Sequence, residues 1–226
     1  MQNTHAGKAE SYDLGRPAYP EAFFDYVYGE FGLRSDAVIA DIGAGTGKVS
    51  QGFLERGNRV YAVEPDGDMR RILLERLGRF NCCTVLGSCA EETGIPNDSV
   101  DLVFCGNSYH WFDRAKVMPE FRRILKPGAG ANIVLAMLGD SRHNESPEFR
   151  EGAFETKSFE FTLHQDWPMY LHGGLSASSA PNPGNEGFEE YCQTRRQYFD
   201  RCGKDGKLET KFKLTCMIGN AKDLIA

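Results

Sequence analysis

The chain has 226 residues, with 26 basic against 32 acidic side chains and a formal net charge of −6. That length suits one domain with a sizeable core, and the interspersed charges lack the basic stripe that nucleic-acid binding asks for. No apolar run approaches the roughly 20 residues that span a bilayer, and the opening "MQNTHAGKAESYDLGRP" has no signal-type apolar stretch.

In chain order, "PEAFFDYVYGEFG" sets Phe23, Val27 and Phe31 at helical spacing, with Pro20 ahead and Gly32 behind, and predicts an amphipathic helix. "AVIADIG" reads as a buried strand. Lys48 to Arg56 continues as a helix stopped by Gly57, and "RVYAVEP" is a second strand. "DGDMRRILLERLG" is a helix that Asp66 caps and Gly78 ends. "CCTVLG" and "VDLVFCG" are the third and fourth strands, "DRAKVMPEFRRILKPGAG" a helix closed at Pro127-Gly128, and "ANIVLAML" the fifth strand.

After Leu138 the pattern changes. "GDSRHNESPEFREG" is polar and reads as loop or frayed helix. "FETKSFEFTLH" and "KLETKFKLTCMIG" alternate as strands around a helix in "PNPGNEGFEEYCQTRRQYFDRCG". The sum is an α/β fold: a doubly wound, seven-stranded, mostly parallel sheet with an antiparallel edge strand and helices on both faces. The seven cysteines are scattered, and Cys82, Cys83 and Cys89 match no zinc spacing. They read as reduced thiols of a cytoplasmic protein, and no metal is expected.

The chemistry concentrates in "ADIGAGTGKVSQGFLERGNRVYAVEPD". Gly43, Gly45 and Gly47 stand between a strand and a helix, where glycine permits tight turns and close approach of a ligand to the backbone. In open sheets ligands sit at the carboxyl ends of the strands. Glu64, at the end of the next strand, can accept hydrogen bonds from both hydroxyls of a ribose. A dinucleotide loop spells G-x-G-x-x-G, but here Lys48 occupies the third glycine's place, and Asp41 would repel a pyrophosphate. The P-loop pattern is absent as well. The ligand that fits carries a ribose and an amino acid without phosphate, as S-adenosylmethionine does.

Four stretches, "SYDLGRPAYP", "ADIGAGTG…VEPDGDM", "AEETGIPNDSVDLVFCGNSYHWFD" and "EFRRILKPGA", extend over about the first 140 residues. In them the chain resembles the Rossmann-like, class I S-adenosylmethionine-dependent methyltransferases of the small-molecule type, the group of the ubiquinone and trans-aconitate methyltransferases. The resemblance implies that Asp41, Gly43, Ala44 and Gly45 line the methionine part of the cofactor. Glu64 would hold the ribose, and Pro65 with Met69 would pack near the adenine. Cys89, Ala90 and Glu91 would meet the adenine edge, with Cys89 standing where many relatives have Asp. Asn107 would sit under the cofactor, and Tyr12, Arg16 and Tyr19 would close over the pocket. Met69 also fits simple helix packing, Tyr12 and Tyr19 half-buried aromatics, and Arg16 a surface ion pair. The organisation implied is one domain over 1–226: an N-terminal cap and helix in 1–35, a cofactor-binding core in 36–138, and a substrate-side region with edge strands in 139–226.

Methyl transfer from a sulfonium is an in-line displacement, in which the protein positions the partners and excludes water. A base is needed only where the nucleophile must lose a proton. In "NSYHWFD", His110, with an unperturbed pKa of about 6.5, is the candidate base, Tyr109 the candidate to orient a substrate oxygen, and Trp111 a wall beside the sulfonium. His110 and Trp111 equally fit packing of this loop on the next helix. The acceptor expected is a small molecule with an oxygen or nitrogen nucleophile, and S-adenosylhomocysteine is the product. No membrane or nucleic-acid partner is expected, and the assembly is read as monomer or homodimer. Relatives of this type carry a longer segment after the fifth strand than the one here, Gly139 to about Phe159; a true deletion would leave a shallow, open acceptor pocket, and a sequence lacking part of the natural chain would read the same. His143 and His172, near it, read as surface or packing residues. A non-catalytic module binding S-adenosylmethionine or S-adenosylhomocysteine, an RNA or protein methyltransferase, and an NAD-dependent oxidoreductase are the alternatives.

Overall fold

The computed structural model describes residues 7–128, 132–140 and 154–223. The polar stretch read as loop or frayed helix opens with Gly139 and Asp140, which belong instead to the fifth strand; its remainder, with His143, and residues 1–6 lie outside the described residues. Packing divides the chain into two units. One takes in the residues up to Ala18 together with Phe161–Phe212, the other Tyr19–Glu160 together with Lys213–Ala226. The sequence reading drew its inner boundaries elsewhere, at 35 and 138.

The first unit begins with helix α1 (Ala9–Gly15), and the second with α2 (Glu21–Tyr28). Then come strand β1 (Val38–Ile42), α3 (Lys48–Glu55), β2 (Arg59–Val63), α4 (Gly67–Leu77), β3 (Cys83–Leu86) and β4 (Leu102–Gly106). A single 3-10 turn (Tyr109–Trp111) leads into α5 (Arg114–Ile124) and β5 (Ile133–Asp140). The chain ends with β6 (Phe154–Gln165), α6 (Trp167–Leu175), α7 (Phe188–Cys202) and β7 (Leu208–Gly219).

The seven strands form one sheet in the order β3-β2-β1-β4-β5-β7-β6. Its first five strands are parallel, with Ala40 opposite both Tyr61 and Val103, and Phe104 opposite Val134. Cross-strand contacts Ser158–Thr215, Phe161–Phe212 and His164–Glu209 advance along β6 as they retreat along β7, so that pair is antiparallel. The expected class therefore stands.

Alternation along the strands fixes which side chains meet which layer. Ala40, Ile42, Val63, Val103 and Cys105 join one buried cluster with Val117, Met118, Phe121 and Ile124 of α5. The opposite face carries Phe104, whose ring meets Phe23 of α2 and Phe53 of α3 at centroid distances of 5.8 and 5.9 Å. By the same alternation Asp41 lies on the Phe104 side, under α3.

Helix boundaries follow local chemistry. Asp66 caps α4 by accepting a hydrogen bond from the Met69 N–H at 2.9 Å, and Gly78 ends it, as the sequence predicts. α5 stops at Ile124, short of the expected Pro127-Gly128, because Leu125 turns extended and pairs with Val100. α2 ends at Tyr28, with Gly29 rather than Gly32 at its end. Two helices were not foreseen. α6 did carry a legible signal, since Asp166 accepts from the Met169 N–H at 2.9 Å and a proline follows in the first turn. α1 has no side-chain cap.

Candidate functional site

Three parallel strands deliver their carboxyl ends to one crevice of the second unit. After β1, the glycines at 43, 45 and 47 all have positive φ, of 72, 58 and 81°. That backbone is strained for any side chain with a Cβ. The Gly43 and Ala44 N–H groups donate to the Val63 carbonyl at 2.9 and 3.0 Å, folding the loop back over the end of β2.

Glu64 is the central side chain. One carboxylate oxygen accepts from the Gly45 N–H at 2.7 Å and the other from the Asp66 N–H at 2.9 Å. Each oxygen keeps a further lone pair, so the carboxylate that braces the loop can still receive a hydroxyl. Burial pushes its pKa up, opposed by those two N–H groups. Arg70 donates to the Glu64 and Pro65 carbonyls at 2.8 and 3.0 Å and holds this turn from outside.

Asp41 is buried and accepts from the Ser50 hydroxyl of α3 at 2.5 Å. Burial raises its carboxyl to about 7, Ser50 opposes, and the nearby Glu64 adds to the rise. The strand register turns this carboxyl toward α3, and the bond from Ser50 ties β1 to that helix. Ser50 was not singled out from the sequence; a serine on the buried face of a helix, between Val49 and Phe53, was the available signal.

The segment after β4 closes the other side. A Cβ at Gly43 would stand 2.5 Å from that of Ser108, whose hydroxyl donates to the Ile42 carbonyl at 2.7 Å. Ser108 is a second residue the sequence reading missed. Asn107, at φ 53°, extends the sheet with its side chain, accepting from the Leu138 N–H at 2.9 Å and donating to the Leu138 carbonyl at 3.3 Å. Tyr19 reaches the same place: a Cβ at Gly106 would lie 2.1 Å from its hydroxyl, and its ring packs on Phe104 at 5.7 Å. Gly43, Ala44, Gly45, Glu64, Tyr19 and Asn107 are thus brought together.

The remaining candidates divide. Ala90 is buried, Cys89 half-buried, and Glu91 accepts from the Asp113 N–H at 2.9 Å. Their loop is held by buried Glu120, unforeseen, which accepts from the Thr93 N–H at 2.8 Å and hydroxyl at 2.5 Å. Burial opposes the Glu120 carboxylate, but Arg123 and Thr93 outweigh it and hold its pKa below the usual range. Pro65 is exposed, while Met69 is buried in the fold. Tyr109 corrects an expectation. It is buried in the α5 cluster with its hydroxyl 3.9 Å from the Met118 sulfur, so it packs the core rather than presenting an oxygen to substrate. His110 and Trp111 are exposed, with ring centroids 4.9 Å apart.

Tyr12 and Arg16 belong to the first unit. There the Arg16 guanidinium lies 5.4 Å from the Tyr12 ring centroid and donates to the Ser176 hydroxyl at 2.9 Å. His172, expected at the surface or in packing, bonds to the Ser11 hydroxyl at 3.0 Å. Among the described residues no three His, Cys, Asp or Glu side chains gather as a metal site.

Residues 40–132 match the family model of a methyltransferase domain. Over those residues the chain is similar to methyltransferase domains. Its relatives include an uncharacterized methyltransferase of Mycobacterium tuberculosis, 36% identical over 124 residues, which are 55% of this chain and 48% of that protein. Another, from Schizosaccharomyces pombe, is 31% identical over 137 residues, 60% and 52% of the two chains. The chain therefore spans about half the length of these curated relatives. A solved structure from Anaeromyxobacter dehalogenans, carried under a provisional type II methyltransferase name, shares the fold with a TM-score of 0.66 at 24% identity, covering 91% of this chain and 98% of that one. So does the S-adenosyl-L-homocysteine complex of a SAM-dependent methyltransferase from Geobacter sulfurreducens, with a TM-score of 0.57 at 12% identity and coverage of 97% and 99%. No helix among the described residues is long and apolar enough to cross a membrane.

Proposed function

We propose that the chain binds S-adenosylmethionine in the crevice at the ends of β1, β2 and β4, and transfers its methyl group to an oxygen or nitrogen of a small molecule. The observation that carries this reading is Glu64, whose carboxylate is fixed by the Gly45 and Asp66 N–H groups at the carboxyl end of β2. A carboxylate preset there, with a lone pair left on each oxygen, suits the two hydroxyls of a ribose. The glycine loop beside it offers a close backbone surface to the amino-acid end of the cofactor, and Tyr19 and Asn107 bound the reacting side. The cofactor supplies an electrophilic methyl; the protein's residues orient it and exclude water. Where the acceptor carries a proton, exposed His110, just beyond β4, is the group that would take it.

Replacing Glu64 by Ala is expected to weaken S-adenosylmethionine binding by roughly 1–3 kcal/mol, the scale of lost hydrogen bonds to a charged group. Titration calorimetry checks this, with circular dichroism to show that the variant folds; unchanged affinity in a folded variant removes the ribose assignment. Release of S-adenosylhomocysteine over a metabolite panel tests the transfer itself. Tight binding without product on any acceptor would favour a binding module instead.

A further inference from the structure

One helix face of the first unit is not accounted for by packing. On α7, Glu190, Thr194 and Tyr198 recur at four-residue steps with Tyr191 and Arg195 beside them and, with Tyr170 of α6, line a cleft of about 680 Å³. That volume is in the range of small-molecule sites. Phe199 is the one fully buried residue of this 15-residue helix, and Tyr198 is 43% exposed. The aromatic face is therefore presented, not consumed by the core.

The lining already holds one cation. The Arg195 guanidinium stands 4.0 Å from the Tyr170 ring centroid and 5.7 Å from that of Tyr191. Tyr198 stacks on Tyr170 with centroids 6.1 Å apart and planes 21° apart. Tyrosine faces attract positive groups in this geometry. Arg195 itself is turned inward: its Nη2 donates to the Tyr170 carbonyl at 2.6 Å, and its Nε is buried without an acceptor. The carboxylates that line the same cleft, Glu186 and Glu190, have no ion-pair partner among the described residues. Two carboxylates against one inward-facing guanidinium leave the lining net negative.

We propose that this cleft binds an organic ammonium ion, with Glu186 and Glu190 supplying the opposing charge and Tyr191 and Tyr198 the walls. An anion is the wrong partner, because the two acids of the lining outnumber its one cation, whose Nη2 is already bonded to the Tyr170 carbonyl. The inference concerns binding alone and does not rest on methyl transfer.

Titration calorimetry on the full chain tests it with three probes: choline, the neutral isostere in which carbon replaces the quaternary nitrogen, and inorganic phosphate. Choline is expected to bind, and the isostere to bind at least roughly 5-fold more weakly, the factor that corresponds to about 1 kcal/mol. Glu186→Gln combined with Glu190→Gln is expected to weaken choline by a similar factor. Tyr198→Ala should do the same, and Tyr198→Leu, which keeps apolar bulk without the ring, serves if the alanine variant fails to fold. No choline binding, equal affinity for the isostere, unaltered affinity in the double glutamine variant, or phosphate that competes with choline would each overturn the proposal.

Discussion

The two units are held together by different physics. In the second, parallel strands buried on both faces meet layers of Phe, Val, Ile and Leu, and Phe23, Phe53 and Phe104 are wholly buried. In the first, buried apolar side chains are few, and polar contacts over long sequence separations do the holding. Lys8 is 5% exposed and its ammonium donates to the Ala177 and Ala180 carbonyls at 2.6 and 2.7 Å. Ser11 meets His172, Arg16 meets Ser176, and the Arg196 guanidinium lies 4.9 Å from the Trp167 ring centroid. Hydrophobic layers tolerate a change in any one polar atom. An assembly of ammonium–carbonyl and cation–π contacts depends on each partner, because a carbonyl left without its donor must be desolvated for nothing.

The sharpest way to break this contrast is to empty the apolar layer. Phe53→Ala is expected to cost about 3–5 kcal/mol in urea unfolding, the range for buried aromatics in well-packed cores. A loss below about 1 kcal/mol would mean that α3 is not anchored through this ring.

Next comes a buried acid beneath α3. The Asp41 pKa lies near 7 in the fold against an ordinary 3.8, chiefly through burial. The folded state therefore favours the neutral form. That stabilisation is complete below about pH 4, drains as pH rises through the folded value, and is gone above it. Asp41→Asn, which keeps an acceptor for Ser50, should match the parent near pH 4 and exceed it by on the order of 2 kcal/mol at pH 8. A variant less stable than the parent at pH 8 would show that the carboxylate form is held by a favourable interaction.

A smaller effect is expected in the other unit. Lys8→Met keeps the length of the chain but strands its carbonyl partners, at a cost of about 1–2 kcal/mol. Hydrogen exchange should locate the loss in 167–180 and leave the β1–β4 amides protected. Uniform loss across both units would erase the distinction drawn between them. Smallest is Arg71→Ala, which removes the exposed pair with Glu75 and should move the unfolding midpoint by under about 0.5 kcal/mol.

Glycine spacing, strand–helix alternation and the acid at Glu64 made the crevice and its parallel strands legible, because each is a local rule that a short window expresses. The same rules did not show which protein groups Tyr109 and Asp41 meet. Tyr109, in the turn after β4, meets Met118, and the register of β1, set by neighbouring strands, turns Asp41 toward Ser50. Ser50, Ser108 and Glu120 were passed over because their use appears only when a partner 9, 66 or 27 residues away is brought beside them. α1 escaped for the related reason that it has no side-chain cap to announce it.

By itself, then, the sequence determined the sheet class, the order of the core elements, the glycine loop and the carboxylate that braces it. Those are consequences of hydrophobic period and backbone stereochemistry, both written residue by residue. Only the tertiary structure decided which groups Asp41, Glu64 and Glu120 meet, how Tyr19 comes to rest on Gly106, and that α7 presents tyrosines beside Glu190. Those depend on distances between residues remote in the chain, and no short window contains them.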